Sequence, residues 1–122
     1  MIEDEPLTRF IFSRSHFSAA QNRVKHQAFL PPADLKLSVF RIESLSAGEI
    51  WKIGGEVEAE RTEHLHARAD FTGDAVLNAG LRAISDEPPK LHANIIGWSA
   101  EDKDSRKIAA MELASVAALA IR

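Results

Sequence analysis

The segment LHANIIGW, from Leu91 to Trp98, and the residues from Glu101 to Ile121 decide the fold of this 122-residue chain. The first segment predicts a β-strand, and the second predicts one long helix. From Ile108 to Ile121 the helix carries only two polar residues, Glu112 and Ser115. Because a helix that is apolar almost all round is buried, we expect it to lie in the middle of the fold with the strand beside it.

The rest of the chain mixes strands and helices without strict alternation. Bulky or alternating residues predict strands at 7–12, 35–42, 65–71 and 81–85, and an extended edge segment at 23–30. The connection between 65–71 and 81–85 is shorter than a parallel crossover requires, which favours antiparallel pairing. We therefore predict a single α+β domain over residues 1–122, with a mixed or mostly antiparallel sheet packed against a long buried C-terminal helix.

One helix is predicted before the strand at 65–71. Ser46 and Glu49 form the pattern of a capping box, and apolar residues follow at helical spacing. Gly54 and Gly55 interrupt this helix, and each costs about 1 kcal/mol relative to alanine in a helix interior. Either they allow a close contact between the helix and the sheet, or the helix breaks there.

The bulk composition is typical of a soluble globular protein that forms its own hydrophobic core. The chain is 45% hydrophobic and 27% charged, and it contains no cysteine, which excludes a disulfide and a thiolate zinc site. The acidic start does not resemble a signal peptide, and the apolar run at 108–121 is shorter than the roughly 20 residues of a membrane span. We expect a cytoplasmic protein without a membrane partner, and a frayed N-terminus over residues 1–6.

Positive charge is concentrated in one part of the chain. Residues 9–42 hold six basic residues against one acid, together with five of the six phenylalanines. Cations and aromatic rings are the combination that holds single-stranded nucleic acid, although we assign at least three of these rings to the core. Arg23, Lys25 and His26 are the best candidates for ligand contacts. Arg41 continues an apolar strand face, so it either pairs with a carboxylate or grips an anion.

A second candidate site depends on how two strands pair. If the strands at 65–71 and 91–98 are neighbours, His66 and Arg68 share a face with His92 and Asn94. His66 and His92 would then act as general base and acid, while Arg68 and Asn94 bind the phosphoryl group. This set suits metal-independent phosphodiesterase or ribonuclease-like cleavage. The alternative is that His92 and Asn94 satisfy neighbouring polar groups in the sheet.

Motifs for cofactors are absent from the sequence. There is no glycine-rich phosphate loop and no nucleophile elbow, so we expect no cofactor. A zinc site made by His64, His66 and His92 is the remaining metal alternative, but Arg68 would place a positive charge on the same face.

Two function classes remain after these observations. The first is a protein that binds, and in its catalytic version cleaves, a phosphate-containing ligand such as RNA or a nucleotide. The second is a non-catalytic interaction module, for example an inhibitor, an adaptor or a subunit of a larger complex. An exposed apolar patch around Trp51 or on the long helix would favour the second class, and a helix exposed on one face would predict a homodimer.

Overall fold

The computed structural model describes residues 2–122 of the chain. Its strands are β1 (Pro6–Ile11), β2 (Phe17–Ser18), β3 (Arg23–Val24), β4 (Leu37–Arg41), β5 (Ala67–Thr72), β6 (Arg82–Ser85), β7 (His92–Ile96) and β8 (Ala118–Ile121). Its helices are α1 (Ala47–Ala59), α2 (Gly73–Asn78) and α3 (Lys103–Val116), with two short 3-10 helices at Arg14–His16 and His26–Phe29.

Six strands form one antiparallel sheet in the order β6-β7-β4-β1-β5-β8, and β2 and β3 form a separate ribbon. The prediction of an α+β fold with an antiparallel sheet is confirmed. The extended segment predicted at 23–30 is not an edge strand of this sheet: it contributes only β3 to the ribbon and then turns into the second 3-10 helix. Register places Thr8 opposite both Phe40 and Asp70, and Phe40 opposite His92.

The sheet buries apolar residues on both faces, because successive strand residues point to opposite sides. One face carries the larger core, which α3, α2 and the second 3-10 helix cover. The other face carries a smaller cluster under α1, made by Phe10, Phe40, Ile42, Ile50 and Leu65. The two helical layers therefore place the 23–29 segment and α3 on the same side of the sheet.

The prediction of one long buried helix is not confirmed. Helix α3 ends at Val116, and the last apolar residues form β8, which pairs with the open edge of β5. Leu113 is fully buried, but Ile108, Met111 and Val116 are 58%, 51% and 61% exposed. An apolar residue type is thus not sufficient for burial, since only one side of α3 meets the sheet. Within residues 2–122 no helix has the length and apolar character that crossing a bilayer demands.

The N-terminal segment is held in place rather than frayed. Ile2 is 6% exposed, and its amide donates to the Ala83 carbonyl at 2.8 Å as an isolated bridge to β6. Glu5 forms an ion pair with Arg41. The expectation for residues 1–6 is therefore wrong from Ile2 onward, and Met1 lies outside the described residues.

Helix α1 is continuous through both of its glycines. The Ser46 hydroxyl accepts from the Glu49 amide at 3.1 Å and the Glu49 carboxylate accepts from the Ser46 amide at 3.0 Å, which confirms the capping box. Gly54 is buried against Leu65 and Phe10, so the close-contact alternative for Gly54 is the one the structure adopts.

Candidate functional site

An open groove of about 670 Å³ lies between the 22–27 segment and α3. Residues 22–27 line one wall, and Met111, Ala114, Ser115 and Ala117 line the other. Three residues predicted from the sequence, Arg23, Lys25 and His26, thus lie together on one wall of this groove.

The local fold explains why these side chains face the groove. In the ribbon, Phe17 pairs with Val24 and Ser18 pairs with Arg23. Val24 is 4% exposed and anchors the segment in the core, so its neighbours in sequence point away from the core. The Lys25 amide then donates to the His16 carbonyl at 2.9 Å, which fixes the turn into the second 3-10 helix.

The second 3-10 helix holds the groove wall against the sheet. Ala28 and Phe29 are 2% and 0% exposed, and the Phe29 ring meets the Phe71 ring edge to face at a centroid distance of 5.2 Å. Phe10, Phe29 and Phe40 are all buried, as expected for at least three of the five rings, while Phe12 and Phe17 are half-buried.

The basic wall of the groove has charges that are not used inside the protein. None of the ion pairs formed between residues 2 and 122 involves Arg23 or Lys25. Arg23 is exposed, and Lys25 and His26 are half-buried. Both cationic groups are therefore available to an anionic ligand.

The opposite wall is apolar and small. Met111 brings a thioether side chain and Ala114 a methyl group, and the Ser115 hydroxyl is turned back to donate to the Glu112 carbonyl at 2.7 Å. A groove with one cationic and one apolar wall suits a ligand that has phosphate on one side and a flat base on the other.

The proposed histidine pair is not brought together, because β5 and β7 are not neighbours. Strands β1 and β4 lie between them, and His66 is four residues along β5 from the row that contains Asp70 and His92. Strand spacings of about 4.8 Å and a rise of about 3.3 Å per residue put the two histidines on the order of 20 Å apart. The premise of the acid–base pair is therefore wrong.

His92 and Asn94 are occupied by hydrogen bonds within the sheet and its adjoining loop. The His92 ring nitrogens lie 2.7 Å from the Ser38 hydroxyl and 2.8 Å from the Asp86 carbonyl oxygen. The Asn94 amide donates to the Asp86 carboxylate at 2.8 Å. Both residues thus form hydrogen bonds with polar neighbours, as the alternative interpretation of the sequence predicts.

Arg68 and Arg41 also have partners inside the fold. Arg68 is 8% exposed, its Nε donates to Asp70 at 3.1 Å, and its guanidinium carbon lies 4.7 Å from the Trp51 ring centroid. Arg41 donates to Glu5, with an Nη2 to Oε2 distance of 3.0 Å, and this hydrogen bond raises the pKa of Arg41. The two arginines stabilise the fold through carboxylates rather than lining the groove.

The three histidines of the zinc alternative are dispersed. The His64 side chain is 90% exposed at a loop, His66 lines a different open cavity with Arg14 and Phe17, and His92 lies on β7. Across residues 2–122, no three His, Asp or Glu side chains are grouped so that they could hold a metal ion.

Sequence reasoning missed a second polar site around Arg9. Arg9 is half-buried on the core side of β1 and lines a pocket of about 60 Å³ with His16, Arg61 and Glu63. The available signal was a charge at a strand position whose neighbours on the same face, Leu7 and Ile11, are core residues. Such a charge requires a partner or a ligand.

No family model, no curated protein and no solved structure matches this chain. Its function must therefore be inferred from its own side chains and their geometry.

Proposed function

We propose that the protein binds a phosphate-containing ligand, single-stranded RNA or a nucleotide, in the groove between the 22–27 segment and α3. One observation carries the proposal: Arg23, Lys25 and His26 line one wall of this groove of about 670 Å³. Neither Arg23 nor Lys25 takes part in an ion pair anywhere in the described chain.

The size and the two walls of the groove support a nucleotide unit as the ligand. Sites for small organic ligands are typically about 300–1,000 Å³, and the groove has about 670 Å³. Arginine and lysine donate charge-assisted hydrogen bonds to phosphate oxygens, and the exposed Met111 side chain offers an apolar surface to a base.

The proposal is binding and not cleavage. General acid–base chemistry needs both groups within hydrogen-bond reach of one substrate, and His66 and His92 are several strands apart. His26 is the one histidine among the residues that line the groove, and no carboxylate lines the groove beside it.

The test is the salt dependence of binding to a short single-stranded RNA, measured by fluorescence anisotropy between about 50 and about 200 mM salt. In the Arg23→Gln/Lys25→Gln variant, the slope of log K against log salt should decrease by about 0.7 for each lost phosphate contact. The matched control is Lys52→Gln/Arg82→Gln, which removes the same charge at two exposed positions outside the groove.

The outcomes separate a specific groove from general attraction. Equal losses in the two double variants would show that RNA responds only to net charge, and the groove proposal would fail. Absence of binding by the wild-type protein at the lower salt, with RNA and with a nucleoside monophosphate, would also refute it.

The exposed side of α3 favours a second candidate function, an interaction module that forms a homodimer. Ile108, Met111 and Val116 place three large apolar side chains on the solvent-facing part of one helix. If this surface is an interface, light scattering should give twice the monomer mass, and Ile108→Glu/Val116→Glu should give the monomer. A wild-type protein that stays monomeric at high concentration would exclude the homodimer.

A further inference from the structure

Arg9 is a half-buried cation whose charge has no carboxylate partner. It lies between Leu7 and Ile11 on the core side of β1. Its Nε donates to the Ala28 carbonyl at 3.1 Å and its Nη1 donates to the Ser38 carbonyl at 2.9 Å. In residues 2–122, no ion pair includes Arg9 and its Nη2 makes no hydrogen bond.

A small pocket adjoins this guanidinium and gathers further charge. Arg61 and His16 line it with Arg9, and Glu63 is the one acid among its lining residues. Glu63 is already engaged, because its carboxylate accepts from Arg61 Nη2 at 2.7 Å. The Arg61 guanidinium is also fixed from the side, with its central carbon 4.1 Å from the centroid of the Phe12 ring.

The electrostatics of the pocket show an unbalanced positive charge. Burial, and next the Arg61 charge, lower the pKa of Arg9 to about 10, so it stays protonated at neutral pH. Burial and then the Arg9 charge lower the pKa of His16, and Glu63 opposes this shift. Two guanidiniums that repel each other across a partly buried pocket gain stability when an anion lies between them.

We propose that this pocket binds a single tetrahedral oxyanion of the phosphate type, held by Arg9 and Arg61 with His16 beside them. Its volume of about 60 Å³ matches this ligand class. A water molecule needs roughly 10–15 Å³ on the same measure, so the space takes a few waters or one such anion but excludes a nucleoside. The site lies outside the groove lining, so it does not rest on the function proposed for the groove.

The test is calorimetric titration of the protein with inorganic phosphate against chloride at matched ionic strength. Phosphate should bind, and Arg61→Gln should weaken binding by about tenfold, the effect of one lost charge-assisted hydrogen bond. Glu63→Gln should strengthen binding, because it removes the only acid that competes for Arg61 in the pocket. Arg14→Gln is the matched control: it removes a neighbouring exposed arginine that does not line the pocket.

Variants of Arg9 would also lose two hydrogen bonds that hold the fold together, so a second readout uses the wild-type protein instead. In the wild-type protein, phosphate should raise the pKa of His16 in an NMR titration, since a bound anion stabilises the protonated ring. Arg23→Gln/Lys25→Gln should keep this shift, which separates the pocket from the groove. A nucleoside 5′-monophosphate that gives the same shift would show that a terminal phosphate group also enters.

Three results would overturn the pocket. The first is equal heats for phosphate and chloride with no movement of the His16 resonance. The second is phosphate affinity unchanged in Arg61→Gln. The third is weaker binding in Glu63→Gln, which would make Glu63 a ligand-side group and not a competitor.

Discussion

Ser38 on β4 and His92 on β7 meet diagonally across the two neighbouring strands, with the Ser38 hydroxyl 2.7 Å from His92 Nε2. The other ring nitrogen, Nδ1, lies 2.8 Å from the Asp86 carbonyl oxygen, which can only accept. In the neutral ring Nδ1 therefore carries the proton, and Nε2 accepts from the Ser38 hydroxyl. Both nitrogens are used, so His92 links two strands to the 86–92 loop instead of offering a free base.

Replacing His92 should therefore affect stability more than ligand binding. His92→Ala leaves the Ser38 hydroxyl and the Asp86 carbonyl without their partner, and we expect a loss of about 1–3 kcal/mol in the free energy of unfolding. Urea unfolding measures this loss, and RNA affinity should stay at the wild-type value. His66→Ala is the control, because His66 forms no side-chain hydrogen bond in the described chain and should lose less stability. A His92→Ala protein of wild-type stability with altered binding would contradict the structural role.

Two neighbouring apolar residues of α3 should respond in opposite ways to the same change. Leu113 is fully buried, so Leu113→Asp would bury an unpaired charge and should abolish cooperative folding. Val116 is 61% exposed, and Val116→Asp should change the free energy of unfolding by no more than about 0.5 kcal/mol. Thermal melts followed by circular dichroism test both variants. Strong destabilisation by Val116→Asp would show that this side of α3 is covered in solution.

The contrast between Leu113 and Val116 also shows where the sequence misleads. Local sequence patterns predict the secondary structure of a short segment. The capping box at Ser46 and the alternating buried residues Ala67, Ala69 and Phe71 of β5 were both predicted in this way. Residues 117–121 are all apolar, a composition that fits a buried helix as well as a strand. They form β8 because β5 offers an unpaired edge, a partner that no local pattern reveals.

The same distinction holds for the candidate sites. Arg23, Lys25 and His26 are close in sequence, so their shared groove wall could be predicted from a local cluster. The pairing of β5 with β1 and not with β7 depends on contacts distant in sequence. The predicted pair of His66 and His92 assumed that β5 and β7 were neighbours, and this assumption was wrong. Arg9 and Arg61 meet only through tertiary structure, which is why their pocket was missed.

The two glycines of α1 should respond with opposite signs to alanine. A Cβ at Gly54 would lie 2.7 Å from Leu65 Cδ2 and 2.8 Å from Phe10 Cε1, so Gly54→Ala must push buried side chains apart and should destabilise the protein. At Gly55 the nearest atom is Arg122 Nη2 at 4.0 Å. Gly55→Ala should therefore stabilise by about 0.5–1 kcal/mol through helix propensity alone. Urea midpoints of the two variants test this difference, and a Gly54→Ala protein as stable as Gly55→Ala would contradict the close approach of α1 to the sheet.

Glu58 ties the end of α1 to one end of the β5–β8 pair, where β5 begins and β8 ends. Its carboxylate accepts from the Leu65 amide at 2.7 Å and from Arg122 Nη1 at 2.8 Å. The hydrogen bond from Leu65, followed by that from Arg122, lowers the pKa of Glu58 below its usual 4.5. Proton uptake by this carboxyl is thus less favourable in the folded than in the unfolded protein.

This difference makes a stability contribution with a defined pH dependence. Because the folded pKa is the lower one, the contribution is complete above pH 4.5 and is lost as the pH falls through the folded pKa. Wild-type protein should be more stable than Glu58→Gln at about pH 7, and the difference should shrink as the pH falls below 4.5 and through the folded pKa. Urea unfolding at several pH values measures the difference, with Glu60→Gln as a control at an exposed position. A gap between wild type and Glu58→Gln that stayed constant down to the lowest pH would show that the charge of Glu58 contributes nothing to holding Leu65 and Arg122.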